Sequence, residues 1–202
     1  MVEWSLDAFR ACDSVRSIVV AAPPGHIGDL GGHDLAVVSG GATRAQSVAN
    51  ALEAVGTEYV AIHDAARPLL TPELLEALVA DLDAAPDAAG TIAAAPVTDT
   101  IKRASVCSFP SPGNEKEQLK IEDSADRSRL WAAQTPQVFR TAALREALIA
   151  AERPEEATDE AMLVEWDGGT VHIHPVAEQN LKVTTPLDLL VAELVLQSRS
   201  ST

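Results

Sequence analysis

The chain has 202 residues, 47% of them hydrophobic, which is enough for one sizeable core and too little for two. A formal net charge of −15 argues against a nucleic-acid surface, because binding a polyanion needs clustered Lys and Arg to release counterions. Cys12 and Cys107 show neither CxxC nor metal spacing, and they point to reduced thiols rather than redox chemistry.

From the N-terminus, "MVEWSLDAFRA" is amphipathic and acidic rather than signal-like. No apolar run is long enough to span a bilayer, so a soluble, cytoplasmic protein without a membrane partner is expected. The spans "SIVVAA" at 17–22, "DLAVVSGG" at 34–41, "EYVAIHD" at 58–64 and "GTIAAAPV" at 90–97 read as strands. "RAQSVANALEAV" and "PELLEALVADLDAA" between them read as helices. That alternation predicts an α/β fold with a mostly parallel sheet and helices on both faces. Thr71-Pro72 and Thr185-Pro186 are written as helix starts, with Thr at the cap and Pro at the first helical position.

The rhythm breaks after Thr100. Residues 104–123, "ASVCSFPSPGNEKEQLKIED", are too polar for a core and too long for an ordinary connection, so a protruding arm over about 98–127 is expected on a single domain of residues 1–202. Regular structure resumes with "RLWAAQTPQVF", helices at 141–152 and 159–166, the strand "TVHIHPV" and a closing helix from Pro186.

Several residues could carry chemistry. Asp64 and Arg67 in "HDAARP" fall beyond the carboxyl end of a strand, where open α/β sheets bind ligands. There a carboxylate can hold a hard cation and an Arg can fork onto phosphate, or the two can simply pair with each other. "SGGATRAQSV" offers Gly40, Gly41, Arg44 and Ser47 at a strand-to-helix junction, readable as a close ligand approach or as a plain Gly-Gly turn. Thr100, Lys102 and Arg103 are either a basic anchor or a solvated edge. His172 and His174 share a strand face but lack a third ligand at meaningful spacing. In "TDEA", Asp159 could offer oxygen to a metal, while Thr158 reads as the helix N-cap.

Taken in order and spacing, "GGATRAQSV", "HDAARP", "APVTDTIKR", "DRSRLWAAQTPQ", "TDEAMLVE" and "NLKVTTPLDLLVAE" resemble the 2-C-methyl-D-erythritol 4-phosphate cytidylyltransferases of the non-mevalonate isoprenoid pathway. The resemblance implies a Rossmann-like nucleotidyltransferase fold, a Mg²⁺ requirement and a homodimer whose arms reach the partner's site. It implies attack by the phosphate of methylerythritol phosphate on the α-phosphorus of CTP, releasing pyrophosphate. Carried over by motif, Lys182 and Arg127 position the attacking phosphate, with Arg127 and Thr100 supplied by the partner's arm. Asp64 and Arg67 contact the sugar phosphate or the metal, and Gly41, Ser47 and Ala65 form the cytosine pocket. Two other readings stay open: a cytidylyltransferase for another polyol phosphate such as ribitol 5-phosphate, and a catalytically impaired dimer that only binds sugar phosphate.

The resemblance also implies a leading strand and a Gly-rich loop ending in Pro-Lys. Nothing here matches them, and "VEWSLDAFRA" resembles the segment that follows that loop. The expectation is a native start further upstream, or else impaired catalysis. Arg129, where the family often has Gly, and the long polar insert around 105–120 are smaller departures.

Overall fold

The computed structural model describes residues 1–28, 30, 35–111, 114–176 and 180–200. In chain order these form α1 (Val2–Arg10), β1 (Ile18–Ala22), β2 (Leu35–Ser39), α2 (Arg44–Leu52), β3 (Tyr59–Ile62), α3 (Pro72–Asp83) and β4 (Gly90–Pro96). They continue with β5 (Lys102–Ser111), β6 (Asn114–Ser124), β7 (Trp131–Arg140), α4 (Thr141–Ala150), α5 (Glu160–Trp166), β8 (Val171–Pro175) and α6 (Pro186–Ser200). The expected tip of the arm at 112–113 and the final residues 201–202 lie outside the described residues.

Helix starts follow the local chemistry. Thr71 Oγ1 accepts from the Leu74 amide at 3.3 Å with Pro72 next in line, and Thr185 Oγ1 accepts from the Asp188 amide at 3.2 Å. One expected cap moves by a residue. Asp159 rather than Thr158 caps α5, its Oδ1 accepting from the Met162 amide at 3.0 Å. The reason is its second oxygen, which accepts from Gln137 Nε2 on β7 at 2.9 Å and fixes Asp159 at the cap position.

The α/β class holds, but the sheet is mixed rather than mostly parallel. β1 and β2 form a parallel pair of their own, and a second sheet runs β3-β7-β4-β8. In it β4 and β8 are parallel, while β7 is antiparallel to both β3 and β4. The cause is the excursion after β4. The chain leaves along the antiparallel pair β5–β6 and returns beside the end of β4, with Val97 N donating to Leu130 O at 3.1 Å. β7 therefore starts opposite Pro96 and runs back between its neighbours.

Val138 and Phe139 on β7 point to opposite faces, as adjacent strand residues must. Val138 packs with Leu75, Leu78 and Leu82 of α3. Phe139 packs with Leu144 of α4 and with Val48 and Leu52 of α2. Helices thus cover both faces of the second sheet. Gly90 lies against Phe139, where a Cβ would stand 2.3 Å from the ring.

Two features frame the site. A groove of about 730 Å³ separates β1 from β3; Val20, Ala21 and Ile62 line its length, and Arg44, Asp64 and Ala65 also border it. The β5–β6 pair bonds only within itself among the described residues and leaves Val106, Leu119 and Ile121 exposed. No helix among the described residues is long and apolar enough to cross a membrane.

Candidate active site

The turn after β3 is tied down before any ligand arrives. His63 Nδ1 and the Asp64 amide both meet Thr135 Oγ1, at 3.1 and 3.0 Å, and His63 Nε2 faces Arg67 O at 3.1 Å. The Arg67 guanidinium turns inward, donating through Nη1 to Asn180 O at 2.7 Å, while Asn180 Nδ2 donates to Thr135 O at 2.7 Å. The loop before α6 is thereby stitched to the HDAARP turn, and Val183 N to Ala66 O at 2.8 Å adds a backbone bond. Burial pushes His63 down to about 4, so the ring is neutral at pH 7. Burial also pulls Arg67 below its ordinary value, against the attraction of Asp64.

The Asp64 side chain does not pair with Arg67. Its Oδ2 accepts from Lys182 Nζ at 2.8 Å, and its Oδ1 meets Arg44 Nε and Nη2 at 3.4 and 3.3 Å. Arg44 also holds Glu160 through Nη1. Burial alone would raise the Asp64 carboxyl, but Lys182 and Arg44 overcome it and hold it below the usual carboxylate range. Arg44, despite its own desolvation, is held charged by Glu160 and Asp64. Two cations and two carboxylates from four separate segments thus meet at the carboxyl end of β3, where an anionic ligand can exchange for one of the carboxylates.

The Gly40-Gly41 turn sits across the groove. Gly40 N donates to Ala22 O at the end of β1 at 2.7 Å and Gly41 N to Ser47 Oγ on α2 at 3.0 Å, so both amides are engaged within the protein. A Cβ at Gly41 would meet Gln46 Cβ at 2.3 Å, so the tight packing requires glycine there. Ser47, Ala65 and Arg44 line the same groove.

Arg127 and Thr100 are not among the partners of this cluster. Arg127 Nη1 donates to Thr98 O at 2.7 Å at the base of the β5–β6 pair, and Thr100 is exposed. The neighbouring cations behave as a solvated edge, Arg103 pairing with Asp123 at 2.9 Å and Lys102 reaching Ser124. His174 pairs with Asp81 at 2.8 Å, and no group of three metal-ligating side chains occurs among the described residues.

The sequence reading did not single out Glu160, Thr135 or Asn180. Each lies inside a quoted motif, but only the fold reveals that Glu160 is buried and that Thr135 and Asn180 clamp the turn.

The family model of 2-C-methyl-D-erythritol 4-phosphate cytidylyltransferase (IspD) matches residues 1–198. The chain belongs to this family. It is 40% identical to the cytidylyltransferase of Paraburkholderia phymatum, over 97% of this chain and 84% of that protein. With the Synechococcus enzyme of the same name the identity is 42% over 81% of this chain and 68% of that one. Among solved structures, the Thermus thermophilus cytidylyltransferase superimposes with a TM-score of 0.77 at 34% identity, covering 97% of this chain and 88% of its own. The Francisella tularensis member gives 0.80 at 25% identity over 96% and 86%. In this chain "HDAARP" and "NLKVT" are far apart in sequence and meet through the Asp64–Lys182 ion pair, the Arg67 bond to Asn180 O and the Val183 bond to Ala66 O.

Proposed function

We propose that this chain transfers CMP from CTP to 2-C-methyl-D-erythritol 4-phosphate, releasing pyrophosphate. An oxygen of the sugar phosphate attacks the α-phosphorus of CTP, the new P–O bond forms, and the bond to the bridging oxygen of the β-phosphate breaks with its electrons leaving on pyrophosphate. Such a step needs positioning and charge neutralisation rather than covalent help from the protein. The Lys182–Asp64 pair at the end of β3 carries the reading: the carboxylate holds the ammonium in place until a phosphate takes it over. Lys182 and Arg127 then position the attacking phosphate, with Arg127 and Thr100 reaching it from a partner's β5–β6 arm in a homodimer. That assignment is supported by the bond of Arg127 to Thr98 O rather than to the Asp64 cluster, by the exposure of Thr100 and by the exposed apolar residues of the arm. Gly40, Gly41, Arg44, Ser47 and Ala65 form the nucleotide side, a reading supported by Arg44, Ser47 and Ala65 lining the groove and by the Gly41 amide holding Ser47.

Asp64 is the only carboxylate of the cluster with appreciable exposure, and a single carboxylate completed by substrate phosphates suits Mg²⁺, which seldom takes an all-protein cage. The residues present therefore fit the ion, with Asp64 as its protein ligand. When bound, Mg²⁺ would supply charge neutralisation on the triphosphate. Arg67, buried and engaged with Asn180, supports the turn that presents Asp64.

The test is pyrophosphate release with CTP plus methylerythritol phosphate, CTP plus ribitol 5-phosphate, and CTP alone. Release that needs methylerythritol phosphate is expected. Preference for ribitol 5-phosphate, or binding of sugar phosphate without turnover, would overturn the reading.

A further inference from the structure

Glu160 is an odd residue to find buried. As the first residue of the short helix α5 it would be well placed in solvent, where a carboxylate favours a helix N-terminus. Instead it is 1% exposed, with Oε2 lacking any hydrogen-bond partner and Oε1 paired with Arg44 Nη1. Burial pushes its carboxyl up, and Arg44 works against that. A buried pair of this kind is a poor source of stability, since an apolar residue of similar size commonly packs as well or better. Its value lies in geometry. Gln137 fixes the first turn of α5 from β7, accepting from the Ala161 amide at 3.3 Å and donating to Asp159 at 2.9 Å, so Glu160 cannot drift.

The four charged groups form a row of alternating sign from core to surface: Glu160, Arg44, Asp64, Lys182. Its inner end, Glu160, is 1% exposed and its outer end, Lys182, 46%, with Arg44 and Asp64 between them partly exposed at 35% and 18%. The Arg44 contacts are unequal, tight on Glu160 and long on Asp64 at 3.3 and 3.4 Å. Without the inner carboxylate, Arg44 would close its fork on Asp64, because that planar pairing is the stronger geometry.

We infer that Glu160 is a positioning residue of the phosphate site: it holds Arg44 back, so that Asp64 stays committed to orienting Lys182. The inference rests on the proposed roles of Asp64 and Lys182. Glu160→Gln keeps the shape and removes the charge. It should lower kcat at least tenfold while changing KM for CTP less than threefold, and Glu160→Asp should recover part of the loss. In an Arg44→Met background the same substitution should add little, because its effect runs through Arg44. An unchanged kcat, or a full additional loss in that background, overturns the inference.

A second readout does not depend on turnover. In NMR spectra of the ligand-free protein, Glu160→Gln and Glu160→Asp should both move the Arg44 Nε–Hε and Lys182 side-chain resonances. If Arg44 moves and Lys182 does not, the pair merely staples α2 to α5 and the inference fails. Absence of CTP turnover by the unmutated protein would instead sink the proposed function, and the Lys182 resonance would still decide the role of Glu160.

Discussion

Lys182 Nζ lies 2.8 Å from Asp64 Oδ2, joining the loop before α6 to the end of β3. Both groups belong to the proposed phosphate site, yet Lys182 is half exposed and contributes little to the core. Lys182→Met should therefore lower kcat/KM by roughly two to three decades, as loss of one transition-state cation does elsewhere. Its melting temperature should stay close to the parent's. Steady-state kinetics beside a thermal melt check both halves, and a large fall in melting temperature would recast the pair as structural.

His63 gives the fold a predictable response to acid. Its folded value of about 4 lies below the ordinary 6.5, so between those limits the unfolded chain takes up a proton that the folded chain refuses. Stability from this group is intact above pH 6.5 and falls as the pH drops towards 4. By pH 5 the loss should be on the order of 2 kcal/mol. Urea unfolding at pH 7 and pH 5 measures it, and His63→Gln should flatten the difference.

Gly90 is a packing constraint. A methyl group there would stand 2.3 Å from the Phe139 ring and 3.0 Å from Val138 O, and Phe139 is fully buried. Gly90→Ala should cost about 1–3 kcal/mol as overpacking. Adding Phe139→Leu should return part of it if the ring is the obstacle. Denaturant midpoints at constant slope report the change.

The β5–β6 pair leaves Leu119 76% exposed beside Val106 and Ile121, an apolar stripe on a strand pair with no other partner strand among the described residues. If the arm seats on a second copy, Leu119→Lys should shift the protein towards monomer in sedimentation velocity and reduce activity in step. A dimer that persists with full activity would remove the arm from the interface.

Much of the fold was legible because its strands are short apolar runs and its helix starts carry local chemistry. Thr71-Pro72 and Thr185-Pro186 mark helices in any context, and both do so here. Strand direction was not legible. Nothing local in "WAAQTPQVF" says that it runs against its neighbours; that depends on where the β5–β6 excursion returns the chain. Asp159 displaced Thr158 at the α5 cap for a similar reason, a distant glutamine on β7. In the site, Asp64 and Lys182 could be named from motifs, whereas Glu160 and Thr135 act through burial and contacts that only the fold creates.

The separation of β1–β2 from the four-stranded sheet divides the molecule's cooperativity. Opening that pair breaks no ladder bond of the larger sheet, so its amides should exchange with solvent more readily than those of β4 or β7. Gly41 follows directly on the β1–β2 pair, Asp64 and Lys182 go with the larger sheet, and α2 ties the two, carrying Ser47 beside Gly41, packing Val48 and Leu52 with Phe139, and reaching Asp64 and Glu160 through Arg44. A nucleotide that touches both parts would be felt first as a stiffening of the looser half rather than as a change of shape.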